Sequence, residues 1–283
     1  MWPAGEPSIR TRHVALSSGQ RIRVVESGGP AGAAVLLVPG WGACVYSYSE
    51  MMPALSAAGY RAFAMDLPGM GLSDRPALAD AYTTEAICRA VAETAKQLAL
   101  DRYTFVGHSM GGAIGLQLVL TGDPSIARLV LLNSVGLGRA PFMRPVRLLS
   151  PRLIEPLLPR LARRLAFKLI LDLAFGTQDR PTPEDIDQYW APTQFPGMLR
   201  ACRLLAHRFD FGALSDAQLA RVTVPVLVVA SERDRMVFAT AERARLVPNA
   251  RVLSLANAGH LALQECAEQV NRAMLGFLRD NPA

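Results

Sequence analysis

The sequence predicts an α/β fold, a mostly parallel eight-stranded sheet flanked by helices with a helical segment inserted after the sixth strand. Three observations predict it. Short β-type runs alternate with helical patterns along most of the chain. Several of the strand-like runs are continuously apolar, as expected of strands covered on both faces. The alternation then stops for about eighty residues rich in Pro, Arg and Leu, and afterwards resumes.

Taken in order, residues 12–16 and 21–27 read as two strands joined by Ser17-Ser18-Gly19-Gln20, an antiparallel hairpin at the sheet edge. Residues 34–38 are an apolar run that ends on Pro39-Gly40, a buried strand with a turn after it. A helix over 46–58, a strand over 61–65 and a helix over 84–98 follow. The strand that opens at Tyr103 breaks on Gly107-His108-Ser109-Met110-Gly111 and passes directly into a helix over 110–121, then a strand over 127–132. Beyond it, prolines at 141, 145, 151, 156, 159, 181, 183, 192 and 196 punctuate several short helices. The sheet pattern returns with a strand over 224–230, a helix over 239–246, a strand over 250–255 and a last helix over 261–279. The expected division is a core made of 1–133 and 213–283 and a helical cap made of 134–212.

Bulk properties narrow the function classes. With 283 residues, 51% of them hydrophobic and 19% charged, the chain can bury a full core and has an ordinary globular composition. Its opening, Met1-Trp2-Pro3-Ala4-Gly5-Glu6-Pro7, lacks a basic segment followed by an apolar stretch, so an export signal is not expected and the cytoplasm is the expected compartment. Cys44, Cys88, Cys202 and Cys266 lie far apart, which favours reduced thiols. His13, His108, His207 and His260 show no ligand spacing, so neither a metal nor another cofactor is expected. The net charge of +6 comes largely from arginines between 139 and 168. That patch reads as a solvated helix face, with contact to an anionic membrane surface as the alternative. No nucleic-acid motif is present. The expected partner is a small-molecule acyl substrate, and the oligomeric state is not readable.

Gly-x-Ser-x-Gly alone is weak, because a chain of this composition supplies it by chance in roughly one case in ten. Its setting between a strand and a helix gives it meaning. A residue at the tip of a sharp strand-to-helix turn is strained, and side chains two positions to either side would collide, so Gly107 and Gly111 fit and Ser109 stands clear. A serine hydroxyl needs a base and a group that orients the base. His260 lies in the loop after the strand over 250–255. Asp234 follows the strand over 224–230, with Glu232 as its rival, and Asn133 and Ser134 are not ionisable. His108 adjoins the serine but should point away from it. An oxyanion would be received by the N–H of Met110 and by that of Trp41 in the loop Pro39-Gly40-Trp41-Gly42.

With the order Ser109, Asp234, His260 and the run Asp66-Leu67-Pro68-Gly69-Met70-Gly71-Leu72-Ser73-Asp74, the chain resembles the α/β-hydrolase superfamily in its capped branch. That branch includes esterases, lactonases, carbon–carbon bond hydrolases, epoxide hydrolases and haloalkane dehalogenases. The resemblance implies the α/β-hydrolase fold over nearly the whole length, and it implies that the Asp66–Asp74 loop shapes the mouth of the site. Two departures bear on function. The dehalogenases and epoxide hydrolases carry aspartate where this chain has Ser109, which speaks against their alkyl-ester route. Pro39 stands where the family's oxyanion loop has histidine. The expected activity is a serine hydrolase cleaving a carboxylic ester or related acyl bond, with Leu153, Leu157, Phe167, Trp190, Phe195 and Met198 of the cap pointing to a hydrophobic substrate or to packing against the core. The alternatives are a carbon–carbon bond hydrolase or acyltransferase on the same triad, or a small-molecule receptor that does not turn over its ligand.

Overall fold

The computed structural model describes residues 1–177 and 179–282. Eight strands form one sheet in the order β1-β2-β4-β3-β5-β6-β7-β8. They are β1 (Arg10–Ala15), β2 (Arg21–Ser27), β3 (Ala34–Val38), β4 (Arg61–Met65), β5 (Tyr103–His108), β6 (Ile126–Leu132), β7 (Val226–Ser231) and β8 (Ala250–Leu255). β1 and β2 pair antiparallel, β2 pairs antiparallel with β4, and all other pairings are parallel. The expected edge hairpin is therefore present.

Alternation along the central strands divides the core in two, because successive side chains leave opposite faces of a pleated strand. Leu36, Val38, Phe63, Phe105 and Leu129 enter one apolar cluster, and Val35, Leu37, Ala64, Val106 and Val130 enter the other. Helices cover both faces. The core supplies α1 (Met51–Ala57), α2 (Thr84–Gln97) and α3 (Met110–Leu120). Between β6 and β7 lie α4 (Met143–Leu149), α5 (Leu158–Leu161), α6 (Arg164–Ala174), α7 (Pro183–Trp190), α8 (Met198–Arg208) and α9 (Asp216–Leu219), with α10 (Thr240–Ala244), α11 (Ala262–Glu265) and α12 (Ala267–Asp280) after β7.

Several boundaries shift by one or two residues from the sequence reading, and three differences stand out. The expected helix over 46–58 is a 3-10 turn, Val45–Tyr48, followed by α1. β7 starts at Val226 because Pro225 has no N–H to give to the ladder, although its carbonyl accepts from Leu129. The last helix is broken at Cys266, whose backbone (φ −121°, ψ 39°) leaves helical geometry. Cys44 is buried, the other three cysteines are half-buried, and all four are unpaired. No helix among the described residues is long and apolar enough to cross a membrane.

The segment between β6 and β7 is joined to the core by polar bonds. Tyr46 Oη donates to Asp185 Oδ1 at 2.8 Å, and the Tyr189 hydroxyl lies 3.0 Å from Ser47 Oγ and donates to Gln264 Oε1 at 2.8 Å. Asp185 is fully buried and also meets Arg180 Nη1. Of the six apolar residues expected at a pocket or packing surface, Met198 is fully buried, whereas Leu153 and Leu157 face solvent.

Candidate active site

The carboxyl ends of β5, β6, β7 and β8 are neighbours in the sheet, so the residues that follow them gather at one edge. Ser109 follows β5, Asn133 follows β6, Asp234 lies three residues beyond β7 and His260 five beyond β8. Ser109, Asp234 and His260 are each 5% exposed.

The turn at Ser109 is as tight as its glycines require. Ser109 has φ 53° and ψ −117°, a conformation costly for a non-glycine residue. A Cβ at Gly107 would stand 2.4 Å from the backbone of Gly111, and one at Gly111 would stand 2.0 Å from the Val38 carbonyl oxygen. Two bonds hold the tip, from Ser109 N–H to the Leu132 carbonyl at 3.0 Å and from Val135 N–H to the Ser109 carbonyl at 3.1 Å.

Asp234 is held by four donors. Its Oδ2 accepts from His260 Nδ1 at 2.9 Å and from Asn133 Nδ2 at 2.8 Å, and its Oδ1 accepts from the amides of Met236 and Val237 at 2.8 and 2.9 Å. Burial acts to raise this carboxyl, but the charge and hydrogen bond of His260 and the two amides outweigh it and hold the group below its ordinary value. With Nδ1 on the carboxylate, Nε2 of His260 is the nitrogen left for chemistry. Glu232, the rival acid, is exposed. Among the described residues no hydrogen bond joins Ser109 Oγ to His260. Such contacts often tighten only when substrate is bound.

The other histidines lie where the sequence placed them. His13 is exposed on β1 and His207 is exposed at the end of α8. His108 is buried, and its Nε2 lies 2.9 Å from the His260 carbonyl oxygen, an acceptor, so Nε2 carries the proton. Burial pushes its pKa down to about 3, helped by the adjacent His260.

Loop 39–42 lies against the serine. A Cβ at Gly40 would be 2.9 Å from Ser109 Cβ and 3.4 Å from its Oγ. Met110 is the first residue of α3, so its N–H has no acceptor within the helix, and among the described residues neither it nor the Trp41 N–H makes a backbone hydrogen bond. The Trp41 indole is tied down by a 2.8 Å bond to the Cys202 carbonyl on α8.

Sequence reasoning missed the groups that hold the histidine loop. His260 N–H donates to the Ala174 carbonyl at the end of α6 at 2.7 Å. Glu265 accepts from the amides of Gly176, Thr177 and Gly259 at 2.7, 3.0 and 3.0 Å. The partners lie 86 to 89 residues apart in the chain where they cross between the two segments, so no local pattern signals them. The Asp66–Asp74 loop is a buried knot. Asp66 bonds Arg23 at 3.2 Å and accepts from the amides of Val45 and Leu72, both at 2.8 Å, while burial raises its carboxyl above the ordinary value. The loop meets the insertion at Gly69, where a Cβ would lie 2.6 Å from Ala201 Cβ on α8. Two surface cavities, of about 100 and 350 Å³, are lined by none of Ser109, Asp234 and His260, whose own side chains are buried.

The chain is similar to known proteins over most of its length. The chain is 32% identical over 263 residues to the dihydrolipoyllysine-residue acetyltransferase component of an acetoin cleaving system from Pseudomonas putida, covering 92% of this chain and 67% of that protein. It is 27% identical to a 2-hydroxy-6-oxononadienedioate/2-hydroxy-6-oxononatrienedioate hydrolase from Pseudomonas putida, covering 97% and 93%. In structure it is similar to a meta-cleavage product hydrolase from Pseudomonas fluorescens, with a TM-score of 0.81, 20% identity and coverage of 95% and 97%. The profile of the alpha/beta hydrolase fold matches residues 33–265, and the chain belongs to that family.

Proposed function

We propose that the chain is a serine hydrolase that cleaves a carboxylic ester or related acyl bond of a hydrophobic small molecule through an acyl-enzyme intermediate. The observation that carries this reading is the buried His260–Asp234 bond of 2.9 Å at the same sheet edge as a serine on a strained strand-to-helix turn. Ser109 Oγ attacks the carbonyl carbon as its proton passes to His260 Nε2, and Asp234 stabilises the imidazolium. The N–H groups of Met110 and Trp41 receive the oxyanion. The leaving alcohol takes the proton from His260, and water, deprotonated by the same nitrogen, releases the acid and restores Ser109. Residues 134–212 act as the cap that admits and encloses the substrate. Pro39 has no N–H of its own, but the two donors assigned to the oxyanion are the backbone amides of Trp41 and Met110, which it leaves in place.

A second reading, a carbon–carbon bond hydrolase on the same residues, is favoured by the relative of nearly equal length that carries that activity in its name. Both readings are tested with p-nitrophenyl esters of graded chain length and a vinylogous 1,5-diketone substrate, using wild type and Ser109→Ala. Ester turnover that falls at least about a thousandfold in Ser109→Ala supports the first reading. Turnover of the diketone alone moves the assignment to the second. No turnover of either by wild type overturns both.

A further inference from the structure

The segment from Arg152 to Ala174 carries a surface that the fold's own packing leaves uncovered. It runs through the 3-10 turn Arg152–Leu157, then α5 and α6. Leucine recurs at every fourth residue, at 153, 157, 161, 165, 169 and 173, and all six are exposed, from 46% at Leu173 to 89% at Leu153. Scattered exposed leucines are ordinary, but an unbroken series in so short a stretch marks a contact surface. On α6, at 100° per residue, Leu165, Leu169, Leu173 and Ile170 span an arc of about 140°. Leu171 and Ala174 turn inward, and Arg164, Lys168 and Asp172 occupy the rest. A helix needs one apolar stripe to pack on its protein, and α6 has a second.

The same stretch is cationic. Between 143 and 173 it holds Arg144, Arg147, Arg152, Arg160, Arg163, Arg164 and Lys168 against Glu155 and Asp172 only. Glu155 is engaged by Arg200 and Arg203, and Asp172 by Lys168. Arg152, Arg160 and Arg163 are exposed and have no carboxylate partner among the described residues.

We propose that this face docks on the surface of an anionic lipid bilayer. The leucines enter the headgroup boundary, and Arg152, Arg160 and Arg163 meet lipid phosphates. The chemistry favours lipid over other occupants. A second copy would bring like-charged arginines together around a two-fold axis. Protein interfaces are enriched in aromatic residues at their centres, and this face is aliphatic. Docking has a consequence for the site, because α6, the helix on the lipid, ends at the carbonyl that holds His260 N–H.

The test is co-sedimentation of the full chain with phosphatidylcholine vesicles and with vesicles that also contain phosphatidylglycerol. Binding to the second kind is expected, and it should weaken as salt is raised. Leu165→Ser, Leu169→Ser and Leu173→Ser combined should reduce partitioning by about tenfold or more. The exposed positions should leave the thermal midpoint near that of wild type. Ser109→Ala should bind like wild type, which keeps this result separate from the fate of the proposed chemistry. Three outcomes would each overturn the proposal: no binding to anionic vesicles, binding retained by the folded triple variant, or a dimer that the leucine substitutions dissociate without any vesicle binding by wild type.

Discussion

Asn133 does two things that one side chain can rarely do together. Its backbone occupies the left-handed region at φ 45°, where asparagine is among the few residues tolerated, and its amide donates to Asp234 Oδ2 beside His260. The amide is thereby a positioning group for the carboxylate that orients the proposed base. Asn133→Gly keeps the backbone and removes the amide. The expected result is a kcat/KM about ten- to a hundredfold lower, the worth of a hydrogen bond to a charged group, with KM little changed. An unchanged rate in the folded variant would remove that role. His108 is a different case, a neutral histidine sealed under the site. Its folded pKa of about 3 lies below the ordinary 6.5, so the unfolded chain binds a proton that the folded one does not. Stability should therefore be fully present above pH 6.5 and fall by about 1.4 kcal/mol per pH unit below it, until the folded pKa is reached. His108→Gln keeps a donor for the His260 carbonyl and should remove that share of the slope. Urea midpoints at pH 7, 6 and 5 measure it.

At the scale of elements, the elbow works because β3, β5 and α3 touch backbone to backbone. Gly111→Ala would set a Cβ 2.0 Å from the Val38 carbonyl, an atom no side-chain rotation can move. Overpacking of this kind should lower stability by about 1–3 kcal/mol or more, read from the urea midpoint. A midpoint equal to that of wild type would mean that the elbow is looser than described. The elements near the chain-local signals were legible in the sequence. Apolar runs gave the strands, and the glycines at 107 and 111 gave the turn, because each signal is carried by neighbours a few residues apart. The insertion was less legible. Leu153 and Leu157 read as pocket or packing residues because composition cannot tell a covered leucine from an exposed one. The Asn133–Asp234 bond joins residues 101 positions apart, and the bonds of Glu265 to Gly176 and Thr177 join residues 89 and 88 apart, so only the fold brings them into view.

At the scale of the whole molecule, the three principal side chains of the candidate site are buried at the sheet's carboxyl edge, and the insertion touches that edge where the Ala174 carbonyl holds His260 N–H. In the proposed reading, in which the insertion is a cap, the bonds from Tyr46 to Asp185 and from Tyr189 to Gln264 tie it to the core. The exposed leucine face lies on that same insertion, so the proposed cap and the proposed contact with lipid are one segment. In the proposed reaction Ser109 is a nucleophile activated by its surroundings, an ordinary hydroxyl being inert near neutral pH. Treatment with a fluorophosphonate followed by peptide mass spectrometry tests this most directly. The expected result is one phosphonyl group per chain on the peptide that contains Ser109, absent from Ser109→Ala and strongly reduced in His260→Ala. An unlabelled wild-type protein, or a label carried by another serine, would contradict it.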